Sequence, residues 1–261
     1  MRAGFAKVML HGFEHSNDWF PTTTHIRPAM SSYIFPPAPQ ASVAVRGSDA
    51  RYAVSRIFCV GRNYAAHARE MGSDPDREPP FYFTKPASAL APSGGTIPYA
   101  PGTKNLHYEM ELVVAIGKPV FRATPEQAAD AVWGYAAGLD MTRRDLQNEA
   151  KAIGRPWDLG KGFEHSAVIT PLVPRSELGE LKAGAITLSV NGKEKQRGDL
   201  SDMIWSIPEL VANLSQFYHL EAGDLIYTGT PEGVGPVKPG DTIEGVIEGF
   251  GTLSITIGDA E

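Results

Sequence analysis

The stretch Leu106-His107-Tyr108-Glu109-Met110-Glu111-Leu112-Val113-Val114-Ala115-Ile116-Gly117 decides how the chain is read. Leu106–Ile116 is the longest strand-like run in the sequence, and Gly117 turns it. A strand has a period of two, so His107, Glu109 and Glu111 share one face while Met110 and Leu112 point the other way, into apolar packing. Same-face glutamates two residues apart have Cα atoms about 6–7 Å apart, close enough to aim both carboxylates at one point. Unscreened, the two charges repel and raise one pKa. A divalent cation removes that conflict, and an oxygen-only ligand set suits Mg²⁺, Mn²⁺ or Ca²⁺. On spacing alone, the commoner meaning of Glu-x-Glu is a solvated strand face carrying two acids.

The flanking segments supply further chemistry. Thr124, Pro125 and Gln127 form a helix start with a capping box, predicting a helix to about Trp133. Gly134–Asp140 then returns as a strand, and Thr142 is placed to cap a helix that ends near Gly154. Asp140 thus closes an apolar strand beside Arg143, Arg144 and Gln147, which is a site position or, equally, a helix-capping position. Upstream, Ile57–Gly61 reads as a buried strand and Tyr64–Met71 as a helix ended by Gly72. On that helix His67 and Glu70 are spaced i, i+3 and share a face. A carboxylate that orients an imidazole makes a general base, although on spacing alone a surface pair is the commoner meaning. Lys85 and Lys161 sit among Gly, Pro and aromatic residues at expected loop mouths, where solvated lysines are common. Thr228-Gly229-Thr230-Pro231 offers hydroxyls and a permissive glycine for close approach to a ligand.

The C-terminal half is richer in strands. Ile186–Val190, Asn191-Gly192 and Lys193–Arg197 give a hairpin signal. Ser206 with Pro208 and Glu209 starts a helix to about His219, and strands follow at 225–228, 242–247 and 252–257. The whole is mostly β with three or four helices, without regular βαβα alternation and without a G-x-G-x-x-G after a strand.

Composition sets bounds on function. The chain has 261 residues, 42% hydrophobic and 21% charged, which excludes disorder throughout. Gly (27) and Pro (21) favour a turn-rich β fold over a helical bundle. The net charge of −6 lacks the basic surplus of a nucleic-acid binder. The single cysteine, Cys59, cannot form an intrachain disulfide or a multi-cysteine zinc site, and it lies in an apolar run that marks an inert buried thiol. No apolar run approaches the ~18 residues of a membrane span, and a soluble, cytoplasmic protein is expected. Lys7 and His11 interrupt any signal-peptide core. Three histidines, His11, His15 and His25, fall in residues 1–29, which read as a dispensable extension before a second start at Met30. Residues 1–55 are thus an extension and lead-in, with the folded unit starting near Ile57.

Seven segments together resemble the fumarylacetoacetate hydrolase family: GRNYAAHAREM (61–71), FTKP (83–86), HYEMEL (107–112), GLDMTRRDLQ (138–147), GKGF (160–163), SDMIWSIPEL (201–210) and YTGTPEGVGPVKPGD (227–241). The resemblance spans residues 56–258. It implies an α+β, mostly β fold, a mixed β-roll with flanking helices, assembled as a homodimer or higher oligomer. It implies metal ligands at Glu109, Glu111 and Asp140, holding Mg²⁺ or else Mn²⁺ or Ca²⁺. It implies a catalytic His67–Glu70 pair on a lid helix, with Lys161 beside the reacting group. Arg144 and Gln147 would hold the keto-acid end of the substrate, and Lys85 and Thr230 occupy further pocket positions.

The implied reaction is hydrolysis of the C–C bond of an acylpyruvate, a 2,4-dioxo acid, with fumarylpyruvate of aromatic-compound catabolism as the specific expectation. A second carboxylate on that substrate needs a cation, for which Arg62 and Arg143 are the candidates. Rival readings are an oxaloacetate decarboxylase, an isomerase or hydratase of hydroxymuconate-type acids, and a non-catalytic metal-binding scaffold.

Overall fold

The run 106–116 forms two strands that belong to different sheets, Leu106–Tyr108 and Met110–Ile116, with the break at Glu109. This is seen in a computed structural model of the chain, which describes residues 33–70 and 78–260. The chain divides into two units, Met1–Pro39 and Gln40–Glu261. In the first, the described residues 33–39 hold no helix or strand. The expectations for His11, His15 and His25, for Met30 as a second start and for the dispensability of 1–29 lie outside the described residues.

The second unit is mostly β. Its largest sheet has the order Phe81–Lys85, Arg56–Gly61, Asp224–Tyr227, Met110–Ile116, Val132–Asp140, Ala167–Ile169 and Leu90–Pro92, with Val173–Pro174 also pairing on Val132–Asp140. Most pairs are antiparallel, but Asp224–Tyr227 runs parallel to Arg56–Gly61, and Ala167–Ile169 parallel to Leu90–Pro92. A five-stranded sheet has the order Lys193–Asp199, Ala185–Val190, Thr242–Ile247, Gly251–Ala260 and Gly95–Tyr99. A small sheet joins Thr142–Arg143, Leu106–Tyr108 and Gly235–Pro236. This is the expected mixed, mostly β fold.

Met110–Ile116 is buried at every position, as its unbroken apolar run requires of a central strand covered on both faces. Met110, Leu112, Val114 and Ile116 face a core shared with Ile186, Leu188, Ile243 and Ile255 of the five-stranded sheet. Val113 and Ala115 face a second core with Ile57, Cys59, Leu225 and Tyr227. The predicted alternation therefore holds, and Glu111 emerges on the side of Val113. Cys59 is fully buried, and burial pushes its thiol well above the usual range, as expected of an inert cysteine.

Local signals fix several boundaries. Thr124 and Gln127 form the predicted capping box, and that helix spans Pro125–Ala131. Asn191 and Gly192 both take positive φ (51° and 73°) in the predicted hairpin turn. Other expectations need correction. The compact unit starts at Gln40, not near Ile57, because a hairpin of Ser42–Val45 and Ser48–Ala53 lies in the lead-in. The helix begun by Ser206 spans Ile207–Leu214 rather than reaching His219. Thr142 does not cap the helix Arg144–Ala152; it lies in a short strand, and its hydroxyl faces a lysine instead. The described residues hold six α-helices rather than three or four, two of them being single turns at Asp158–Lys161 and Arg175–Leu178. The predicted Tyr64–Met71 helix is observed as Ala65–Glu70, with Met71 and Gly72 outside the described residues. No helix among the described residues is long and apolar enough to cross a membrane.

Candidate active site

The strand break at Glu109 builds the site. Glu109 O accepts the Asp140 N–H at 2.9 Å, and the next N–H, of Met110, donates at 3.0 Å to Gln196 Oε1, a side chain of the other sheet. Around this break Glu109 (5% exposed), Glu111 (1%) and Asp140 (0%) converge, each offering a carboxylate oxygen within 4.8 Å of the others. A solvated strand face is thereby excluded.

Two buried lysines and an arginine face these acids. Lys161 Nζ donates to Glu109 Oε2 (2.9 Å), Asp140 Oδ2 (2.8 Å) and Thr142 Oγ1 (2.6 Å). Arg144 donates to Glu109 Oε1 and, at 2.5 Å, to Gln147 Oε1. Lys85 Nζ lies 2.8 Å from Asp140 Oδ1 and donates to the carbonyls of Met141 (3.1 Å) and Lys161. The expectation of lysines at loop mouths is therefore corrected: Lys85 and Lys161 are each only 2% exposed.

The charges divide unequally. Burial opposes ionisation of Glu109, but Lys161 and Arg144 outweigh it and hold that carboxyl well below the usual range. Burial likewise works against the charge of Lys161, yet Asp140 and Glu109 outweigh it and keep its pKa above the ordinary value. Glu111 has no such partner. Burial pushes its carboxyl well up, and the neighbouring charges of Asp140 and Glu109 add to the rise. Asp140 Oδ1, although close to Lys85, receives no well-directed hydrogen bond. A buried carboxyl short of positive charge and an all-oxygen donor set fit a divalent cation held by Glu109, Glu111 and Asp140.

A histidine lines the same cavity as Glu109 and Glu111. His67 is 6% exposed, and its Nδ1 lies 3.2 Å from Glu70 Oε2. The hydrogen bond from His67 is the chief cause holding the Glu70 carboxyl below its usual range; partial burial opposes it, and the Gly233 N–H assists. With Nδ1–H directed at a carboxylate, Nε2 is left as the basic nitrogen.

The 228–235 loop ties the two halves together. Gly229 N–H donates to Glu111 Oε2 at 2.8 Å, and Gly233 N–H donates to Glu70 at 3.1 Å. Both glycines have positive φ (98° and 91°), and a Cβ on Gly233 would lie 2.1 Å from Lys195 O. Only glycine satisfies both demands.

Eight of the twelve predicted site residues line one cavity: Arg62, His67, Glu109, Glu111, Arg144, Gln147, Lys161 and Thr230. Glu70, Asp140 and Lys85 lie one contact behind that wall. Arg143 is not brought to it: its guanidinium stacks 4.3 Å from the Phe163 ring centroid and donates to Leu159 O at 3.2 Å. The sequence reading missed Phe83, Lys151 and Trp157, which with Val60 and Gly61 complete the wall, and Thr142, Gln196 and Gly233, which brace it from behind. Only Gly233 had a local signal, its place in a glycine-rich segment.

Comparison with known proteins agrees with this fold. The model of the fumarylacetoacetate hydrolase C-terminal family matches residues 56–258, and the chain belongs to that family. It is 53% identical over 193 residues to a fumarylpyruvate hydrolase of a Ralstonia species, covering 73% of this chain and all of that protein. It is 47% identical over 202 residues to the mitochondrial oxaloacetate tautomerase of Homo sapiens, covering 77% of this chain and 90% of that one. Among solved structures, the fumarylpyruvate hydrolase of Pseudomonas aeruginosa, in complex with Mn²⁺ and pyruvate, superposes with a TM-score of 0.86 at 51% identity, over 88% of this chain and all of that one.

Proposed function

We propose that the chain is a divalent-metal-dependent hydrolase that cleaves an acylpyruvate, with fumarylpyruvate as the preferred substrate and fumarate and pyruvate as products. The observation that carries this reading is the His67–Glu70 pair, whose imidazole lines the same cavity as Glu109 and Glu111. The Ralstonia and Pseudomonas relatives support the choice of substrate.

Glu109, Glu111 and Asp140 would hold the cation, Mg²⁺ in this proposal, which when bound supplies Lewis-acid stabilisation of developing negative charge. The remaining steps belong to side chains. Arg144 and Gln147 bind the 2-oxo acid end of the substrate. Glu70 orients His67 and stabilises its protonated form. His67 Nε2 takes a proton from water, whose oxygen bonds to the distal acyl carbon. The C–C bond to the pyruvyl carbon then breaks, and its electron pair leaves as pyruvate enolate, which takes up a proton to give pyruvate. Lys161 holds the carboxylates of Glu109 and Asp140 in place beside the reacting atoms, and the lid helix excludes bulk water.

A second reading, proton transfer on oxaloacetate, is favoured by the human tautomerase and by the 40% identical oxaloacetate tautomerase of Escherichia coli. It uses the same His67 as a proton shuttle without C–C cleavage. The proposal further places the protein in the cytoplasm, as a homodimer, in aromatic-compound breakdown, with a small oxo acid as its partner. The acidic balance supports the absence of a nucleic-acid partner.

One assay separates these readings. Pyruvate release from fumarylpyruvate, acetylpyruvate and oxaloacetate, and enol–keto exchange of oxaloacetate, would be measured with Mg²⁺, with Mn²⁺ and with chelator. Release from the acylpyruvates that exceeds turnover of oxaloacetate supports the hydrolase, and faster enol–keto exchange supports the tautomerase. Full activity under chelation overturns both. His67→Ala should lower kcat on the order of 10²–10⁴-fold while calorimetric metal affinity persists.

A further inference from the structure

Gln196 is buried (1% exposed) on Lys193–Asp199, an edge strand whose preceding residues Lys193, Glu194 and Lys195 are all exposed. A long amide side chain turned inward from such a strand needs partners, and it has three. Its Oε1 accepts the Met110 N–H at 3.0 Å. Its Nε2 donates to Pro231 O at 2.8 Å and to Thr230 Oγ1 at 2.9 Å.

Two of these partners are backbone groups with fixed roles. Met110 N–H can only donate, and Pro231 C=O can only accept. A flipped amide would oppose donor to donor and acceptor to acceptor, so the orientation of Gln196 is determined. Its remaining Nε2–H therefore points at Thr230, and the Thr230 hydroxyl must accept it. That leaves the hydroxyl proton of Thr230, which is 2% exposed and lines the cavity, with no acceptor among the described residues. A buried hydroxyl proton of this kind needs an acceptor, and the cavity that Thr230 lines is where one can enter.

We propose that Gln196 is a positioning residue: by donating to Thr230 Oγ1 it fixes that hydroxyl as a hydrogen-bond donor to a carboxylate or oxo oxygen of the bound 2-oxo acid. The inference rests on the oxo-acid reading of the site given above. It also gives Gln196 a second task, because the same amide holds the Met110 N–H between the two glutamates and so couples the 228–235 loop to the strand break.

The test is pyruvate affinity, measured by calorimetry at saturating Mn²⁺, alongside KM and kcat on an acylpyruvate and thermal melting. A hydrogen bond to a charged group predicts that Thr230→Val weakens pyruvate binding ~10- to 100-fold. Thr230→Ser should recover most of that loss. Gln196→Met should weaken binding to a similar degree through KM more than kcat, and it should add little to the loss in a Thr230→Val background. A purely structural role would make the two losses additive and leave Thr230→Ser as weak as Thr230→Val, which overturns the inference. So does wild-type pyruvate affinity in a folded Gln196→Met variant. If Gln196→Met fails to fold, the Ser and Val variants decide, and undiminished binding by Thr230→Val overturns the idea. A wild-type chain that neither binds pyruvate nor turns over an oxo acid overturns the site reading itself, and this inference with it.

Discussion

The Gly233 N–H donates to the Glu70 carboxylate at 3.1 Å, and that same carboxylate lies 3.2 Å from His67 Nδ1. The backbone of one loop thus holds the carboxylate that faces the histidine. Three residues before Gly233, the side chain of Thr230 faces the cavity, and Gly229 holds Glu111. Movement of this loop therefore reaches both the histidine and the Glu111 carboxylate.

Gly233→Ala tests that link. The added Cβ would meet Lys195 O at 2.1 Å, with φ at 91°, and the backbone must shift to relieve it. A strained backbone of this kind costs about 1–3 kcal/mol, which thermal melting would register. Turnover should fall further than the melting temperature implies, because the shifted backbone carries its N–H away from the Glu70 carboxylate. A variant that loses stability but keeps wild-type kcat would show that the hydrogen bond has no part in orienting His67.

The unequal charges of the carboxylate cluster make stability depend on metal and pH together. Glu111 has a raised folded pKa. Above the ordinary carboxylate range the unfolded chain has released this proton while the native chain still holds it, so the native state binds more protons. Stability of the metal-free protein therefore falls through this group as pH rises from the unfolded pKa towards the raised folded one. Glu111→Gln removes that dependence. Under chelator the variant should match or exceed wild-type melting at neutral pH, with the gap closing towards pH ~4.3. With Mn²⁺ the order should reverse, because only the wild type gains the metal's stabilisation. Wild-type binding of Mn²⁺ should also release a proton, read from calorimetry in two buffers of different ionisation enthalpy. Equal Mn²⁺-induced melting shifts in wild type and variant would remove Glu111 from the ligand set.

His107 predicts a separate acid response. Its Nε2 lies 2.9 Å from Asn105 Oδ1, and Nδ1 accepts from Arg144 Nε at 3.4 Å, a pattern that suits the neutral ring. Burial, and then the Arg144 charge, bring its pKa down to about 4. As pH falls below the unfolded value of about 6.5, the unfolded chain takes up a proton that the native chain refuses, so stability drops from there to about pH 4. His107→Gln should flatten that part of the stability curve while leaving the neutral region little changed. The check is urea unfolding at half-unit pH intervals, and an unaltered slope between the two values would refute it.

Much of this site was legible before folding, for identifiable reasons. That Glu109 and Glu111 share a face was readable because strand period is local, while their place in a site came only from the family resemblance; Thr124 was readable because a capping box is complete within four residues. The break at Glu109 was not, because Gln196, which takes the Met110 N–H there, lies 86 residues from Met110 along the chain. Nor was the burial of Lys85 and Lys161, whose flanking residues resemble a surface loop; the carboxylates of Glu109 and Asp140, distant in sequence, decide it. Thr142 was read as a cap for the same reason, its hydroxyl being claimed by Lys161 rather than by the helix beside it. Ser206 gave the start of its helix correctly, but the end was set by Ser215, whose hydroxyl donates to Ala212 O at 2.7 Å and accepts the Ala123 N–H at 3.0 Å.

The two candidate arginines for a second substrate carboxylate now separate. Arg62 lines the cavity, together with Lys151, Phe83 and Trp157, and also lines the adjoining depression that reaches Arg155. Arg143 is held against Phe163 instead. Loss of Arg62 should therefore raise KM for fumarylpyruvate relative to acetylpyruvate, whose acyl group has no carboxylate, on the order of tenfold, the scale of a charge-assisted hydrogen bond. Arg143→Ala should leave the ratio of the two KM values near wild type. The choice of replacement matters, because Arg62 has φ of 61°. Alanine would be strained there, whereas asparagine tolerates the left-handed region, so Arg62→Asn removes the charge with the least backbone disturbance. A selective change with Arg143→Ala and none with Arg62→Asn would reverse the assignment.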